Sequence, residues 1–120
     1  MIRQGEVYWL DDCPHLDDTG VKRRPVIVLS PKAQIQASLA DVLCVACSTT
    51  ISEAETDRIR LPSKADTPLP FCRTGLTKPC WAVPRWALPV AQYRLKHPVG
   101  HIKNPLLDRI IKAVEARLNG

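Results

Sequence analysis

The sequence feature that most constrains the fold is a run of aliphatic residues, Val26 to Leu29, bounded by Pro25 and by Ser30-Pro31. A short, mostly β-branched apolar run between prolines is typical of a buried strand. Pro25 suits the first residue of such a strand, because its fixed φ and missing N–H do least harm there. This interpretation places Arg24 directly before the N-terminal end of the strand. An extended backbone there holds a planar cation that is suited to binding phosphate.

The length and composition of the chain predict one globular domain over residues 1–120. The 120 residues are 45% hydrophobic, which favours a folded core over disorder. We expect a cytoplasmic location, because no apolar stretch approaches the roughly 20 residues that span a bilayer and the N-terminus lacks a signal-peptide core. The formal net charge of +5 is compatible with a polyanionic partner such as RNA.

The cysteines predict neither a disulfide framework nor a metal site. Their number is five, and an odd count without an export signal argues against a disulfide scaffold. Cys44 and Cys47 have the spacing of a zinc half-site, with Cys72 and Cys80 as further candidates. However, Cys44 and Cys47 lie in an apparent strand, where positions three apart face opposite sides. We therefore expect small buried hydrophobic residues, and no metal or cofactor.

Hydrophobic periodicity predicts short strands along most of the chain. The expected strands are Glu6–Asp11, residues 25–30, Asp41–Cys47, Arg58–Leu61, Trp81–Val83 and Val99–Ile102. The third is almost wholly apolar and is expected to be central in the sheet. Residues 11–23 and 62–74 have loop composition, and residues 31–40 suit one or two helical turns.

The C-terminal segment predicts an amphipathic helix. Asn104 suits the cap, Pro105 the first turn, and Asp108 the positive end of the helix dipole. An apolar stripe follows at helical spacing: Leu106, Leu107, Ile110, Ile111, Val114 and Leu118. A single antiparallel sheet with a C-terminal helix is an α+β fold.

Four stretches, in order along the chain, resemble the MazF/PemK toxins of bacterial type II toxin–antitoxin systems. They are Gly5–Asp11, residues 22–31, Val42–Thr50 and Gly75–Ala82. The resemblance implies the SH3-barrel-like fold that these toxins share with CcdB. It also implies a metal-independent, sequence-specific endoribonuclease that cleaves single-stranded RNA as a homodimer and is neutralised by a cognate antitoxin protein. In the family, the connection at residues 11–23 closes over the active site and contacts RNA.

Such cleavage uses the neighbouring 2′-hydroxyl as the nucleophile, so that DNA is not a substrate. The resemblance gives Arg24 the position of the active-site arginine, which stabilises charge on the phosphate. The alternative is a structural arginine paired with Asp17 or Asp18. Ser48 occupies the position of a catalytic hydroxyl, with Thr49 next to it if the register differs by one. The alternative for Ser48 is a hydroxyl that closes a turn.

The sequence departs from the family pattern at residues 81–86. Some relatives carry an arginine and an aspartate there as acid and base, and these positions fall near Val83 and Arg85. Arg85 can bind phosphate, but its pKa is too high for a general base. His15 has a suitable unperturbed pKa and is the candidate base, with an ordinary solvated histidine as the alternative.

Further residues are candidates for binding RNA. Trp86 suits either stacking on an unpaired base or packing in the core. For Trp81, packing in the core is the favoured role. The candidate phosphate contacts are cations: Lys22, Arg23, Arg73, Lys78 and Arg85.

Two rival functions remain open at this point. One is a non-enzymatic, gyrase-binding toxin like CcdB, which depends on Trp-containing residues at its extreme C-terminus. This chain ends Arg117-Leu118-Asn119-Gly120, which favours the nuclease. The other is a catalytically degenerate relative that binds RNA or antitoxin, which the missing aspartate suggests.

Overall fold

The computed structural model describes residues 2–14, 21–37, 40–49, 56–63 and 74–119. Within these ranges the chain forms six strands, two α-helices and a short 3₁₀ turn. In chain order they are β1 (Glu6–Pro14), β2 (Val21–Val28), α1 (Lys32–Gln36), β3 (Asp41–Ser48), β4 (Ile59–Leu61), β5 (Cys80–Ala91), the 3₁₀ turn (Gln92–Arg94), β6 (Pro98–His101) and α2 (Leu106–Asn119). The parts of the predicted loops at residues 15–20 and 64–73 lie outside the described ranges.

The six strands form one antiparallel sheet in the order β4-β5-β3-β2-β1-β6. The predicted α+β architecture is confirmed. β3 lies in the interior of the sheet between β2 and β5, as its apolar sequence predicts. No described helix is long and apolar enough to cross a membrane.

A buried core lies on each face of the sheet, which explains why β3 and the end of β2, from Val26 to Val28, are nearly continuous apolar runs. The helix-side core lies between the sheet and α2. It contains Val7, Ile27, Val45, Cys47, Leu61, Ile110 and Val114, among others. The second core lies on the opposite face and includes Tyr8, Leu10, Val26, Cys44, Ala46 and Trp86. Cys44 and Cys47 therefore face opposite sides of β3, as predicted.

The prediction that Pro25 begins the second strand is wrong. β2 starts at Val21, and Pro25 lies inside it opposite Trp9 of β1. The proline is tolerated because the hydrogen-bonded pairs with β3 begin only at Val26, directly after it. Arg24 is consequently an interior residue of a strand, rather than a residue directly before its N-terminal end.

β5 is much longer than the predicted strand at Trp81–Val83 and contains a large bulge. Val45 pairs with Ala87 and Cys47 pairs with Ala82, so Ala46 alone faces residues 83–86. Pro84 lies in this bulge, where it interrupts no regular ladder hydrogen bond. The bulge also redirects the side chains that follow Pro84, which positions the site described below.

The C-terminal helix is confirmed, including its cap. The side-chain oxygen of Asn104 accepts a hydrogen bond from the Asp108 N–H at 3.1 Å. Leu107, Ile110 and Val114 are buried, in keeping with the predicted stripe. Leu118 is the exception: it is 63% exposed and borders an open groove instead of packing into the core.

Candidate active site

Arg24 and Ser48 lie at the same end of neighbouring strands. The pairs Val26–Ala46, Ile27–Val45 and Val28–Cys44 fix the register of β2 and β3. The alternation of side chains along each strand puts Arg24, two residues before Val26, and Ser48, two residues after Ala46, on the face of the second core. Both are buried: Arg24 is 4% exposed and Ser48 is 7% exposed. The fold thus brings together the two residues that the sequence selected.

The Arg24 guanidinium rests on an aromatic ring. Its central carbon lies 4.6 Å from the centroid of the Trp86 ring. Its buried Nε has no hydrogen-bond partner among the described residues. A buried cation lacking a full set of partners is costly, and stacking on an indole offsets only about 2 kcal/mol. The arrangement therefore leaves Arg24 with unused capacity to bind an anion.

Arg85 approaches the same ring, because the bulge of β5 carries both residues. Its central guanidinium carbon lies 5.7 Å from the Trp86 centroid. Two guanidinium groups from different strands therefore converge on one indole. A pair of planar cations suits the recognition of a phosphate, which accepts paired N–H donors from each.

A carboxylate also lies near this cluster. Arg117 of α2 donates to both oxygens of Asp57, at 2.7 and 3.1 Å. These bonds are the main cause that lowers the pKa of Asp57, and the positive charge of Arg85 contributes a smaller part. A carboxylate held in an ion pair is a weak proton acceptor, so Asp57 is poorly suited to act as a general base. Sequence reasoning missed this pair because its members are 60 residues apart.

Comparison with known protein families decides the assignment. Residues 3–118 match the family of PemK-like, MazF-like toxins of type II toxin–antitoxin systems. The chain belongs to this MazF/PemK family. A comparison with curated protein sequences finds no match.

Solved structures of MazF toxins share the fold of this family member. The toxin MazF-mt6 of Mycobacterium tuberculosis superposes with a TM-score of 0.66 at 16% identity, covering 95% of this chain and 96% of that one. A mycobacterial endoribonuclease in complex with its cognate antitoxin gives a TM-score of 0.70 at 18% identity, covering 99% and 96%. MazF of Deinococcus radiodurans gives 0.72 at 14% identity, covering 99% and 97%. The predicted SH3-barrel-like toxin fold is confirmed, and these similarities give no support to the gyrase-binding alternative.

The tryptophans of this MazF/PemK chain are arranged differently from the sequence interpretation. Trp86 is only 4% exposed, so neither face is open for a base in this structure. Its ring instead supports Arg24, and the burial arises because the bulge turns it into the second core. Trp81, which the sequence favours for the core, is half-buried and lies opposite Ser48.

The remaining candidate residues are dispersed. Thr49 is exposed directly after β3, and Lys78 is exposed before β5. Arg23 forms an ion pair with Asp11 at 3.0 Å and does not contact the Arg24 cluster through any described hydrogen bond or ion pair. Lys22 lies in β2 opposite Cys13. His15 and Arg73 lie outside the described residues, as do the alternative partners Asp17 and Asp18.

The described cysteines are packing residues. All four are buried, and burial raises the pKa of Cys44 to about 12. Burial likewise raises the pKa of Cys13, which the positive charges of Arg24 and Arg94 partly oppose. The described part of the chain contains no group of three or more His, Cys, Asp and Glu side chains able to hold a metal ion.

Proposed function

We propose that this MazF/PemK toxin is an endoribonuclease that cleaves single-stranded RNA without a metal ion. The observation that carries the proposal is the buried Arg24 side chain, whose Nε has no hydrogen-bond partner among the described residues and which lies at the same end of neighbouring strands as the buried Ser48. Arg85 adds a second cation at the same indole. Family membership supports the same chemistry.

In the proposed reaction, the 2′-oxygen bonds to the adjoining phosphorus while the bond from phosphorus to the 5′-oxygen breaks. A base takes the proton of the 2′-hydroxyl, and an acid returns a proton to the leaving 5′-oxygen. The products are a 2′,3′-cyclic phosphate and a 5′-hydroxyl. Arg24 and Arg85 stabilise the charge that grows on the phosphoryl oxygens. Ser48 binds the scissile phosphate or relays a proton.

The proposed base is His15, because neither Arg85 nor Asp57 suits this role. Arg85 stands where relatives carry an aspartate, and Asp57 is neutralised by Arg117. His15 stays the predicted base. An unperturbed imidazole would make the cleavage rate rise with pH through about 6.5 and then level off.

The proposed partners follow from the solved relatives. A mycobacterial endoribonuclease and the MazF of Deinococcus radiodurans are each described in complex with an antitoxin, MazE in the second case. We propose that a cognate antitoxin protein neutralises this toxin, that the toxin acts as a homodimer, and that its substrate is cytoplasmic single-stranded RNA.

The test is cleavage of a mixed-sequence RNA by the purified protein in EDTA, with chemical mapping of the ends. Arg24→Ala is expected to lower the rate by at least about a hundredfold. Arg24→Lys should recover little, because an ammonium lacks the planar donor pair. Arg109→Ala, which removes an exposed cation of α2, is the matched control. Equal cleavage by wild type and Arg24→Ala would refute the assignment of Arg24.

A second candidate function is a toxin relative that binds RNA or antitoxin without cleavage. The cation at Arg85, near the position where some relatives carry an aspartate, favours it, and the Asp57 carboxylate nearby is held in an ion pair by Arg117. RNA binding by wild type with no cleavage in EDTA or in added divalent metal would establish this alternative.

A further inference from the structure

A groove of about 380 Å³ lies between β1 and the 3₁₀ turn that follows β5. Its walls include Trp9 and Asp12 on one side, and Tyr93, Arg94, Lys96 and His97 on the other. This volume falls in the range of about 300–1,000 Å³ that is usual for small-molecule sites. The groove is separate from the Arg24 cluster and has no role in the proposed chemistry.

The groove combines an open aromatic ring with cations. Tyr93 is 80% exposed, which is unusual for a large aromatic side chain on an ordered turn. Arg94 donates to the backbone carbonyl of Asp12 at 3.3 Å, which ties the turn to β1. Lys96 is exposed two residues later. An aromatic platform with adjacent cations is the combination that binds unpaired nucleotides.

The wall formed by β1 and β2 carries a cation that stacks on an indole ring. The Arg23 guanidinium lies 4.6 Å from the Trp9 centroid and pairs with Asp11. Asp11 is thereby neutralised. Among the described residues, no ion pair holds the carboxylate of Asp12. Of the two carboxylates that line the groove, Asp12 is the one that such a pair leaves to accept a hydrogen bond from a base amino group, such as that of cytosine.

Two residues of β1 connect the groove with the strand that carries Arg24. Leu10 lines the groove and pairs with Arg24 across β1 and β2. Cys13 lies close enough to Arg24 and to Arg94 for both positive charges to lower its pKa against the effect of burial. Leu10 and Cys13 of β1 therefore lie between the groove and Arg24.

We propose that this groove binds one unpaired nucleotide of the RNA next to the scissile phosphate. In this arrangement Tyr93 stacks on the base, Arg94 and Lys96 contact a phosphate, and Asp12 accepts a hydrogen bond from the base and so selects its identity. The inference rests on the proposed function, because it takes RNA as the ligand of the chain. An acidic peptide would satisfy the cations, but it would leave the exposed ring unused and would face Asp12.

The first test measures binding of a short, fluorescein-labelled, mixed-sequence 2′-O-methyl RNA, which lacks the nucleophile and is not cut. Tyr93→Ala is expected to weaken binding by about five- to hundredfold, because it removes one base stack. Tyr93→Phe keeps the ring and should bind like wild type. Leu118→Ala, which truncates an exposed apolar side chain of α2, is the matched control and should change nothing.

Two further variants separate the roles of the polar residues. Arg94→Ala should reduce the dependence of log affinity on log salt by about one unit, whereas Arg109→Ala should leave this slope unchanged. Asp12→Asn should change which base is preferred at one position beside the cut, read by sequencing the ends of a cleaved random RNA pool. An unchanged base preference in Asp12→Asn would contradict the role given to Asp12.

The outcomes distinguish this inference from the proposed function. Weaker 2′-O-methyl RNA binding by Tyr93→Ala supports the groove even if wild type fails to cleave RNA, which would overturn only the nuclease. Full binding and cleavage by Tyr93→Ala would overturn the groove and leave the nuclease intact. Unchanged RNA binding with an altered oligomeric state or antitoxin affinity would identify the groove as a protein contact, and would also overturn the inference.

Discussion

Arg24 of β2 and Trp86 of β5 meet across the intervening strand β3, with the guanidinium carbon 4.6 Å from the ring centroid. On β3, the small residue Ala46 pairs with Val26 and faces the bulge of β5 that contains Trp86. A larger side chain at this position would occupy the space over the strand. The bulge thus brings Trp86 to the face of the sheet on which Arg24 lies.

The unpaired Nε of Arg24 lowers the free energy of unfolding. Arg24 is 4% exposed and its Nε has no hydrogen-bond partner among the described residues. An unsatisfied buried polar group costs about 1–3 kcal/mol. A residue retained at such a cost is better explained by function than by stability.

The first prediction is that Arg24→Met abolishes RNA cleavage while raising the free energy of unfolding. Methionine keeps a long, flexible side chain against Trp86 and removes the unsatisfied charge. We expect a gain of about 1 kcal/mol, measured by urea denaturation at neutral pH. The matched control is Arg109→Met at an exposed site, which should change the stability by less than about 0.5 kcal/mol. A strongly destabilised Arg24→Met would show that the cation supports the fold instead.

The sequence predicts those parts of this fold that depend on local pattern. The apolar runs of β2 and β3 identify buried strands, and alternation along β3 correctly separates Cys44 from Cys47. The cap at Asn104 depends on residues only a few positions apart, so the start of α2 can also be predicted from the sequence. Arg24 and Ser48 are candidates because the resemblance to MazF/PemK toxins selects them, and each adjoins a recognisable apolar run.

The features that the sequence does not predict arise from strand pairing and contacts between segments that are distant in the chain. The sequence around Pro25 suggests that a strand starts there. It does not reveal that the pairing of β2 with β3 ends at Val26, which allows a proline inside the strand. The length of β5 is concealed by Pro84, which only a bulge accommodates. The burial of Trp86 and the ion pair of Asp57 with Arg117 likewise arise from tertiary contacts that no local pattern encodes.

The second prediction concerns Gly75, which the family resemblance highlights. Its φ is +72°, in the region that favours glycine, and a Cβ at this position would overlap the backbone carbonyl of Val99. Gly75→Ala is therefore expected to destabilise the protein by more than about 2 kcal/mol, since both the backbone and the neighbouring β6 must shift. The measurement is thermal and urea unfolding. A loss below about 1 kcal/mol would contradict the close approach to Val99.

The third prediction is a pH dependence of stability from Asp57. Arg117 lowers the pKa of this carboxyl in the folded protein below its unfolded value of about 3.9. The resulting stabilisation is present above that unfolded value and is lost as the pH falls through the lower, folded pKa. Arg117→Ala should cost about 1 kcal/mol or less at pH 7. This difference from wild type should shrink towards zero in acid, as urea denaturation at several pH values will show.

Two variants check the origin of that dependence. Asp57→Asn removes the titrating group, so Arg117→Ala should cost the same at every pH in that background. Arg109→Ala removes a neighbouring exposed cation of α2 and should show no such pH-dependent difference. A difference for Arg117→Ala that stays constant from neutral pH into acid would assign its effect to packing rather than to the ion pair.

The fourth prediction tests whether the Trp86 ring positions the catalytic cation. Trp86→Leu removes a buried indole and should destabilise the protein by about 3 kcal/mol, and it should lower RNA cleavage even where the protein stays folded. Trp86→Phe keeps an aromatic face for Arg24 and should retain more activity at a smaller loss of stability. Trp81→Leu, at a half-buried position in the same strand, is the matched control and should lose less of both. If folded Trp86→Leu cleaves RNA as fast as wild type, Arg24 holds its position without the ring, and the contact across Ala46 serves packing alone.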